Sequence, residues 1–564
     1  MQRLAATSLA ALLVAGTLPS PALAAGAHGD HFGETATPIR HLVVIFQENV
    51  SFDHYFGTYP TAANPKGEPA FHARPDTPSV NGLTPELLNH NPNSLNTANN
   101  FAFASGAVSI ASNPFRLDHS QAATADQDHN YGPEQMAMDA GLMDLFPLSV
   151  GTEGPAPAAP PAAVDTTALT MGYYDGNTVT AIWNYAQHFA MSDNMYNTTF
   201  GPSTPGALNV IAGQTNGVTS TVVPVNNTTI VAGGGGSETL IGDADPTGDL
   251  CSSKTKNVSL TGKNIGDLLN AAGISWGFFE GGFDLGITNA NGTTGCARST
   301  LSTITGVSEV DYIPHHQPFQ YYASTQNLAH TRPNSVREIG VPNDKVAHNQ
   351  YDIHDFFDAI KAGNFPAVSY LKAPGYQDGH AGYSDPLDEQ TFLVNTINFL
   401  EQQPEWSSTA VIVTYDDSDG WYDHQMSPIV NQSQTPADAL SGPGLCGSGA
   451  TVNLSGIDPT VTPNAQGRCG YGPRLPFLVV SPWSRDNYVS HVTIDQSSVV
   501  RFIEDNWLGG ERLGGGSFDA IAGSLDDMFA FNQPSCRSDR LFLNSSTGEQ
   551  VDRYPGLPFH FPLR

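Results

Sequence analysis

The stretch HLVVIF, residues 41–46, decides the fold, because it is a short apolar run rich in β-branched residues that leads directly into polar ones. Two further runs share this character, TAVIVT at residues 409–414 and LPFLVVS at residues 475–481. Runs that are apolar on both faces are typical of parallel strands covered by helices. The sequence therefore predicts a buried, mostly parallel central sheet.

Two segments predict helices over this sheet. One opens at residues 384–386 (Ser-Asp-Pro), where proline suits the first turn, and ends before Pro404. The other follows a capping-box pattern at residues 493–496 and continues to Trp507. Strands that alternate with helices over this length predict an α/β sandwich.

The ends and the middle of the chain predict its further organisation. Residues 1–24 resemble a secretory signal peptide, with a basic residue, an apolar run and an A-x-A cleavage pattern. We expect the mature chain, residues 25–564, to be secreted or periplasmic and to have no stable membrane anchor. Residues 215–262 are rich in Asn, Thr and Gly, and we expect a surface insertion or cap over residues 215–310.

Composition narrows the class of function. With 54 acidic against 23 basic residues and a net charge of −31, the chain lacks the basic footprint of a nucleic-acid-binding protein and is disfavoured on anionic lipid surfaces. Five cysteines in an exported chain permit disulfides. We predict the neighbouring pairs Cys251–Cys296 and Cys446–Cys469, which leaves Cys536, although spacing alone does not determine the connectivity.

Acidic and amide side chains follow two of the predicted strands. Glu48 and Asn49 follow the first strand, and Asp416 and Asp417 follow the second. Ligand sites in open α/β sheets gather beyond the carboxyl ends of the strands, so these oxygen donors should meet, and they would repel one another without a cation. The alternative is local: Asn49 or Ser51 caps the helix that starts there, and Asp416 caps the next turn.

A candidate nucleophile lies in the segment TFGPSTPGA, residues 199–207. Pro205 favours a helix that starts near Ser203, and a helix N-terminus offers backbone N–H groups and a positive dipole to a phosphoryl anion. A serine there in contact with a metal could ionise and attack phosphorus. The alternative is an ordinary helix N-cap.

Four histidines in polar motifs of their own are further candidates for the site. The candidates are His129, the adjacent pair His315 and His316, and His380. Imidazoles can donate to phosphoryl oxygens and protonate a leaving alkoxide near neutral pH. Taken singly, each is better explained as a satisfied surface or core histidine.

The block IRHLVVIFQENVSFDHYFGTYP, residues 39–60, resembles the opening signature of the bacterial phosphoesterase family. That family joins phosphatidylcholine-type phospholipases C to AcpA-type acid phosphatases. The resemblance continues in order over nearly the whole mature chain, through DHNYGPEQMAMDAGLMDLF (128–146), GPSTPGALN (201–209), YIPHHQPFQYY (312–322), GHAGYSDP (379–386), YDDSDGWYDH (415–424) and GPRLPFLVVSPWSR (472–485).

The resemblance implies an alkaline-phosphatase-like catalytic domain over residues 25–564 and one divalent metal. By motif position, the metal ligands would be Glu48, Asn49, Ser203, Asp416 and Asp417. Ser203 would also be the nucleophile. The residues around the phosphate would be His129, His315, His316 and His380. Oxygen donors favour Mg, Mn or Ca, and the neighbouring histidines keep Zn and Fe open.

Two departures from the phospholipase C pattern favour the acid-phosphatase branch. Gly206-Ala207 stands where phospholipases C of the family have Asn-Arg, and Asp416-Asp417 stands where they have Asp-Glu. We therefore expect a secreted metal-dependent phosphomonoesterase that acts on small phosphate esters through a phosphoserine, with a mildly acidic optimum. One alternative is a phospholipase C acting on phosphatidylcholine-type lipids, and another is a secreted binding protein without catalysis.

Overall fold

The computed structural model describes residues 34–102, 108–151, 168–233, 237–447, 467–532 and 540–552. The predicted signal peptide and Cys536 lie outside these ranges.

The strands, in chain order, are β1 (His41–Gln47), β2 (Phe101–Ala102), β3 (Val108–Ser109), β4 (Phe115–Arg116), β5 (Gly172–Tyr173), β6 (Ala190–Ser192), β7 (Met195–Tyr196), β8 (Val218–Thr219), β9 (Ile230–Ala232), β10 (Glu238–Leu240), β11 (Asp245–Pro246), β12 (Asn257–Leu260), β13 (Trp276–Glu280), β14 (Ser299–Leu301), β15 (Ser308–Val310), β16 (Gln350–Asp352), β17 (Val368–Lys372), β18 (Thr409–Tyr415), β19 (Phe477–Val480), β20 (Tyr488–Ser490) and β21 (Ile494–Asp495).

The α-helices lie between these strands. They are α1 (Phe52–Phe56), α2 (Pro85–Asn89), α3 (Pro92–Leu95), α4 (Tyr131–Met138), α5 (Phe146–Ser149), α6 (Thr180–His188), α7 (Ser203–Ala212), α8 (Ile265–Ala272), α9 (Ile353–Lys361), α10 (Pro386–Glu401) and α11 (Ser497–Trp507). In the described ranges, no helix has the length and apolar character needed to span a bilayer.

One large sheet forms the centre of the molecule, with strand order β16-β13-β17-β1-β18-β19-β6-β20. The five strands from β16 to β18 run parallel, and Val44 of β1 lies opposite both Tyr370 and Ile412. The predicted mostly parallel sheet is therefore confirmed.

Both faces of this sheet are covered. Val43 and Ile45 pack into one hydrophobic cluster with α1, α6, α9 and α10, whereas Leu42 and Val44 pack into another with α7, α8 and α11. Alternate residues of a strand face opposite sides, so the unbroken apolar run of β1 requires helices on both. The α/β sandwich is confirmed.

The third predicted strand runs in an unexpected direction. β19 pairs antiparallel with β18, with Val411 opposite Val480. A parallel neighbour needs a crossover to the other end of the sheet, usually through a helix. The described residues between β18 and β19 contain no helix, and the chain re-enters the sheet from the edge where β18 ends.

Both predicted helices are present, as α10 and α11, but the second begins after its predicted capping box. The helix that opens at residues 384–386 is confirmed as α10, capped by Asp385. The capping box at residues 493–496 is wrong, because β21 pairs with β7 up to Asp495 and α11 begins only at Ser497. Asp495 Oδ2 accepts from the Ser497 N–H at 3.1 Å, so Asp495 satisfies the start of α11.

The segment predicted as an insertion, residues 215–310, contains two kinds of structure. Strands β8 to β12 form a two-stranded and a three-stranded sheet apart from the central one. α8 packs on the central sheet, and β13 is one of its strands. A cap over residues 218–260 therefore stays a prediction, while residues 276–280 belong to the central sheet.

Both predicted disulfides are present. The Cα atoms are 5.3 Å apart in Cys251–Cys296 and 5.8 Å apart in Cys446–Cys469. The first links two segments of the predicted insertion, one after β11 and one just before β14, and the second links two segments that lie between β18 and β19 in the chain.

Candidate active site

Four oxygen-bearing side chains meet at the carboxyl edge of the central sheet. β1 and β18 are parallel neighbours with Gln47 opposite Tyr415, so the residues that follow them leave the sheet side by side. The Asn49 N–H donates to Asp416 Oδ1 at 3.1 Å. The buried members of this group are Glu48, Asn49, Asp416 and Asp417. The convergence expected from the strands is therefore present.

Ser203 adds a hydroxyl to this group from α7, of which it is the first residue. Its Oγ lies 3.0 Å from Glu48 Oε2, 3.2 Å from Asp417 Oδ2 and 3.5 Å from Asn49 Oδ1. The N-cap position belongs to Pro202, which makes no side-chain cap. The Ser203 hydroxyl thus faces the carboxylates and does not cap its own helix.

Close packing brings α7 against the segment that follows β18. A Cβ atom at Gly206 would lie only 2.0 Å from Asp416 O, so a larger residue would push the first turn of α7, and Ser203 with it, off that segment. The Thr204 N–H and Oγ1 both donate to Asp243 Oδ1, at 3.0 and 2.9 Å. The first turn of α7 is therefore fixed by its close packing against Asp416 and by its hydrogen bonds to Asp243.

The buried oxygen atoms fit a divalent cation. Within the described residues, Asp416 Oδ2 has no hydrogen-bond partner. Asn49 Oδ1 faces other acceptors, although the opposite amide orientation would donate to Glu48 Oε2 at 2.7 Å. Burial raises the pKa of Asp416 well above its usual range and that of Asp417 to about 6, and the charge of Glu48 adds to both shifts. Buried oxygen donors whose negative charges repel one another are typical of a site that binds a hard cation.

The predicted histidines surround this cluster at different depths. His316 Nδ1 lies 3.4 Å from Glu48 Oε1, and His129 Nε2 lies 3.4 Å from Asn49 Nδ2. The ring of His380 lies edge-on to that of His129, with 5.8 Å between centroids. These three side chains are buried.

His315 stands at the margin of the cluster. Its side chain is 27% exposed, and its Nδ1 lies 3.4 Å from Asp245 Oδ1 in the predicted insertion. Its ring lies edge-on to that of His316, with 4.6 Å between centroids. His315 therefore lies behind His316 as seen from Glu48.

Charges around His129 and His316 give them opposite protonation tendencies. Burial alone would lower the pKa of His129, but Asp417, Asp419 and Asp126 outweigh it and raise that pKa well above its usual value. Burial lowers the pKa of His316 well below its usual value, because the attraction of Glu48 does not offset it. The surroundings therefore favour the charged form of His129 and the neutral form of His316.

The comparison with known families assigns this chain to one of them. The model of the phosphoesterase family matches residues 39–508. The chain belongs to the phosphoesterase family. The resemblance of the motif blocks is confirmed.

Curated relatives of this phosphoesterase include bacterial phospholipases C. The non-hemolytic phospholipase C of Pseudomonas aeruginosa is 24% identical over 544 residues, which cover 94% of this chain and 63% of the relative. Phospholipase C A of Mycobacterium tuberculosis is 23% identical over 474 residues, which cover 83% and 72%. The chain thus spans less than two thirds of the length of the Pseudomonas relative.

Solved structures give only distant similarity. A protein of the alkaline phosphatase superfamily from Vibrio parahaemolyticus has a TM-score of 0.24 and 13% identity, covering 59% of this phosphoesterase and 62% of that chain. Murine ectonucleotide pyrophosphatase/phosphodiesterase 5 has a TM-score of 0.28 and 13% identity, covering 62% and 95%. Scores this low support no argument about function.

Sequence reasoning missed several residues that this phosphoesterase places at the site. They are Lys372 beside Glu48, Asp419 beside His129, Asp243 beside Thr204 and Asp245 beside His315. Lys372 carries a signal in the sequence, because it ends the apolar run VSYLK at residues 368–372, where the same strand-end rule applies. Asp243 and Asp245, in the predicted insertion, carry no such sequence signal, because their contacts depend on how the insertion packs against the rest of the chain.

A separate cavity of about 470 Å³ lies at the ends of β13, β16 and β17. None of the predicted site residues of the phosphoesterase lines it. Its polar walls are paired within the chain, with Arg298 lying 3.1 Å from both Asp311 and Asp352. The charges of Arg298, Asp311 and Asp352 in this cavity are therefore explained by ion pairs that stabilise the fold.

Proposed function

We propose that this phosphoesterase is a metal-dependent phosphomonoesterase, an acid phosphatase that acts through a phosphoserine intermediate. The burial of its nucleophile carries the proposal, since Ser203 is only 2% exposed. A terminal phosphoryl group has one organic substituent and can enter a narrow site end-on. The phosphate of a diester has substituents on two sides and needs a more open groove.

The packing of α7 supports the same proposal. The resemblance to the family implies Asn-Arg in its phospholipases C at the positions where this chain has Gly206-Ala207. An asparagine at position 206 could not be accommodated, because its Cβ would overlap Asp416 O. Ala207 is buried and brings no cationic group to the site.

In the proposed reaction, Ser203 Oγ attacks phosphorus in line with the ester oxygen. A new P–O bond forms to serine while the bond to the leaving alkoxide breaks, which yields phosphoserine and an alcohol. Glu48 and Asp417, at 3.0 and 3.2 Å from Oγ, are within reach of its proton. A bound divalent cation would stabilise the negative charge that develops on the phosphoryl oxygens.

The imidazoles supply the remaining proton transfer. One member of the group His129, His315, His316 and His380 would protonate the leaving alkoxide, and water would then hydrolyse the phosphoserine. Positioning and charge stabilisation provide most of the catalysis, as in phosphoryl transfer generally.

Phospholipase C is the second candidate function. It is favoured by the names of relatives that match 83% to 94% of this chain, although at only 23–24% identity. A secreted binding protein without catalysis is disfavoured by the convergence of Glu48, Asp416, Asp417 and Ser203 in one buried cluster.

The deciding experiment compares three substrates with elemental analysis of the same purified protein. The substrates are p-nitrophenyl phosphate, bis(p-nitrophenyl) phosphate and phosphatidylcholine in mixed micelles, each assayed with the Ser203→Ala variant as the blank. We expect kcat/KM for the monoester to exceed that for both diesters by about 100-fold or more. Equal or faster hydrolysis of phosphatidylcholine would establish the phospholipase instead, and metal-loaded protein inactive on all three would favour the binding protein.

A further inference from the structure

Lys372, the last residue of β17, is wholly buried among the carboxylates of the site. Its Nζ contacts Glu48 Oε1 directly and lies 3.8 Å from Asp416 Oδ2. On another side it faces the ring of Phe46, 4.7 Å from the centroid. In the described part of the chain, no other lysine or arginine forms an ion pair with Glu48, Asp416 or Asp417.

The two oxygen atoms of Glu48 have different partners. Oε1 contacts Lys372 and lies 3.4 Å from His316 Nδ1, whereas Oε2 accepts from Ser203 Oγ at 3.0 Å. Rotation of this carboxylate would break a buried ion pair, which is strongly unfavourable where water cannot replace the lost partner. The contact with Lys372 therefore fixes the orientation of the carboxylate, with one oxygen on Lys372 and the other toward the nucleophile.

Lys372 also contributes to the charge balance of the site. Glu48, Asp416 and Asp417 carry three negative charges when ionised, and a divalent cation offsets two of them. An uncompensated charge in a site without solvent is costly. The ammonium of Lys372 offsets negative charge on the side of Glu48 and Asp416, while the other oxygen of Glu48 stays free to face Ser203.

We propose that Lys372 is a positioning residue, which holds the Glu48 carboxylate with one oxygen toward Ser203 and offsets part of the negative charge of the site. This inference rests on the proposed function, because it gives Lys372 a part in the same reaction. Lys372 is completely buried and its Nζ is engaged by Glu48, so it acts through that carboxylate and not on the substrate. A residue that merely filled space in β17 would have no specific dependence on Glu48.

A double-mutant cycle on metal-free protein tests this dependence. The variants are Lys372→Met, Glu48→Gln and the two combined, with thermal unfolding measured after treatment with EDTA. Lys372→Met alone should lower Tm by about 5 °C, because a buried charge pair has lost one partner. The double variant removes both charges, so it should regain at least half of that loss.

The control cycle pairs Lys372→Met with Asp417→Asn, because Asp417 forms no ion pair with Lys372. Its effects on Tm should be closer to additive than those of the first cycle. Additive effects in the Glu48 cycle itself would overturn the proposal and make Lys372 a packing residue. If Lys372→Met does not fold, folding of the double variant with Glu48→Gln supports the pairing, and failure of both overturns it.

Kinetics provide the second measurement, with p-nitrophenyl phosphate as the substrate. Lys372→Met should lower kcat about tenfold or more, and Lys372→Arg should restore part of that loss because it keeps the charge. Equal losses in the two variants would contradict a role for the charge. If the unmodified enzyme hydrolyses no phosphate ester, the proposed function fails, and the cycle on metal-free protein still reports on the Lys372–Glu48 pair.

Discussion

Ser203 Oγ lies 3.2 Å from Asp417 Oδ2, which joins the first residue of α7 to the segment that follows β18. The two residues are 214 positions apart in the chain. Their contact brings a candidate nucleophile and a candidate metal ligand together, and the first two predictions concern these groups.

Replacing Ser203 with alanine should abolish turnover and leave the fold intact. Because Ser203 does not cap α7, its loss should change the free energy of unfolding by less than about 1 kcal/mol. We expect kcat to fall by about 10⁴-fold or more, as when other nucleophiles are removed. Activity and urea unfolding of Ser203→Ala are the measurements. Near-normal activity would remove Ser203 as the nucleophile, and Thr204 would then be tested.

Asp416→Asn and Asp417→Asn should each lose bound metal together with activity. Each substitution removes one negative charge and one strong oxygen ligand, so metal affinity should fall by more than about tenfold. Metal content per chain and kcat are measured for both variants, with the exposed Asp526→Asn as the matched control. Full metal content with lost activity would demote that residue from ligand to a charge acting on the histidines. Full content and full activity in both would refute the metal site.

Glu389 should make stability depend on pH. Burial raises its pKa to about 7, although the hydroxyls of Tyr415 and Tyr55 that donate to it oppose the shift. The folded state thus holds this proton more tightly than the unfolded state, whose pKa is near 4.5. The stabilisation is fully present below about pH 4.5 and is lost as pH rises through 7, amounting to about 3 kcal/mol.

The measurement for Glu389 is urea unfolding between pH 5 and pH 8. Glu389→Gln should lose less stability over this interval than the unmodified protein, because its side chain does not ionise. The control is Glu511→Gln, since Glu511 is exposed. An unchanged pH dependence in Glu389→Gln would show that this carboxyl group does not titrate as inferred.

Asp249 should hold the segment that carries His315 and His316 in place. Its Oδ2 accepts from Tyr312 Oη at 2.9 Å and from Gln320 Nε2 at 2.8 Å, on either side of the two histidines. Asp249→Ala would leave Tyr312 Oη without this acceptor and Gln320 Nε2 with only its bond to Asn327 O, and it should lower stability by about 3 kcal/mol.

Activity should fall with stability in Asp249→Ala, since the histidines lose their support. The measurements are Tm and kcat/KM, with Asp526→Asn again as the control. A lower Tm with unchanged kcat/KM would show that the two histidines keep their places without Asp249.

The sequence alone predicts much of the site because its signals are local. A strand such as β1 is visible as a continuous apolar run, and the polar residues that follow a parallel strand lie at a known edge of the sheet. Glu48, Asn49, Asp416 and Asp417 could therefore be named as neighbours without coordinates. The same reasoning predicts α7 from Pro205 and the residues after it.

Only the tertiary structure decided the features that depend on which distant segments of the chain pack against each other. β19 could be recognised as a strand, but its antiparallel direction depends on the path of the chain after β18. The start of α11 at Ser497 was decided by the pairing of β21 with β7, which overrode a local capping pattern. Lys372 reaches Glu48 across 324 positions of the chain, and Asp245 reaches His315 from the predicted insertion. Such contacts result from packing, which local residue patterns do not encode, because the free energy that selects them comes from burial and charge compensation between segments far apart in sequence.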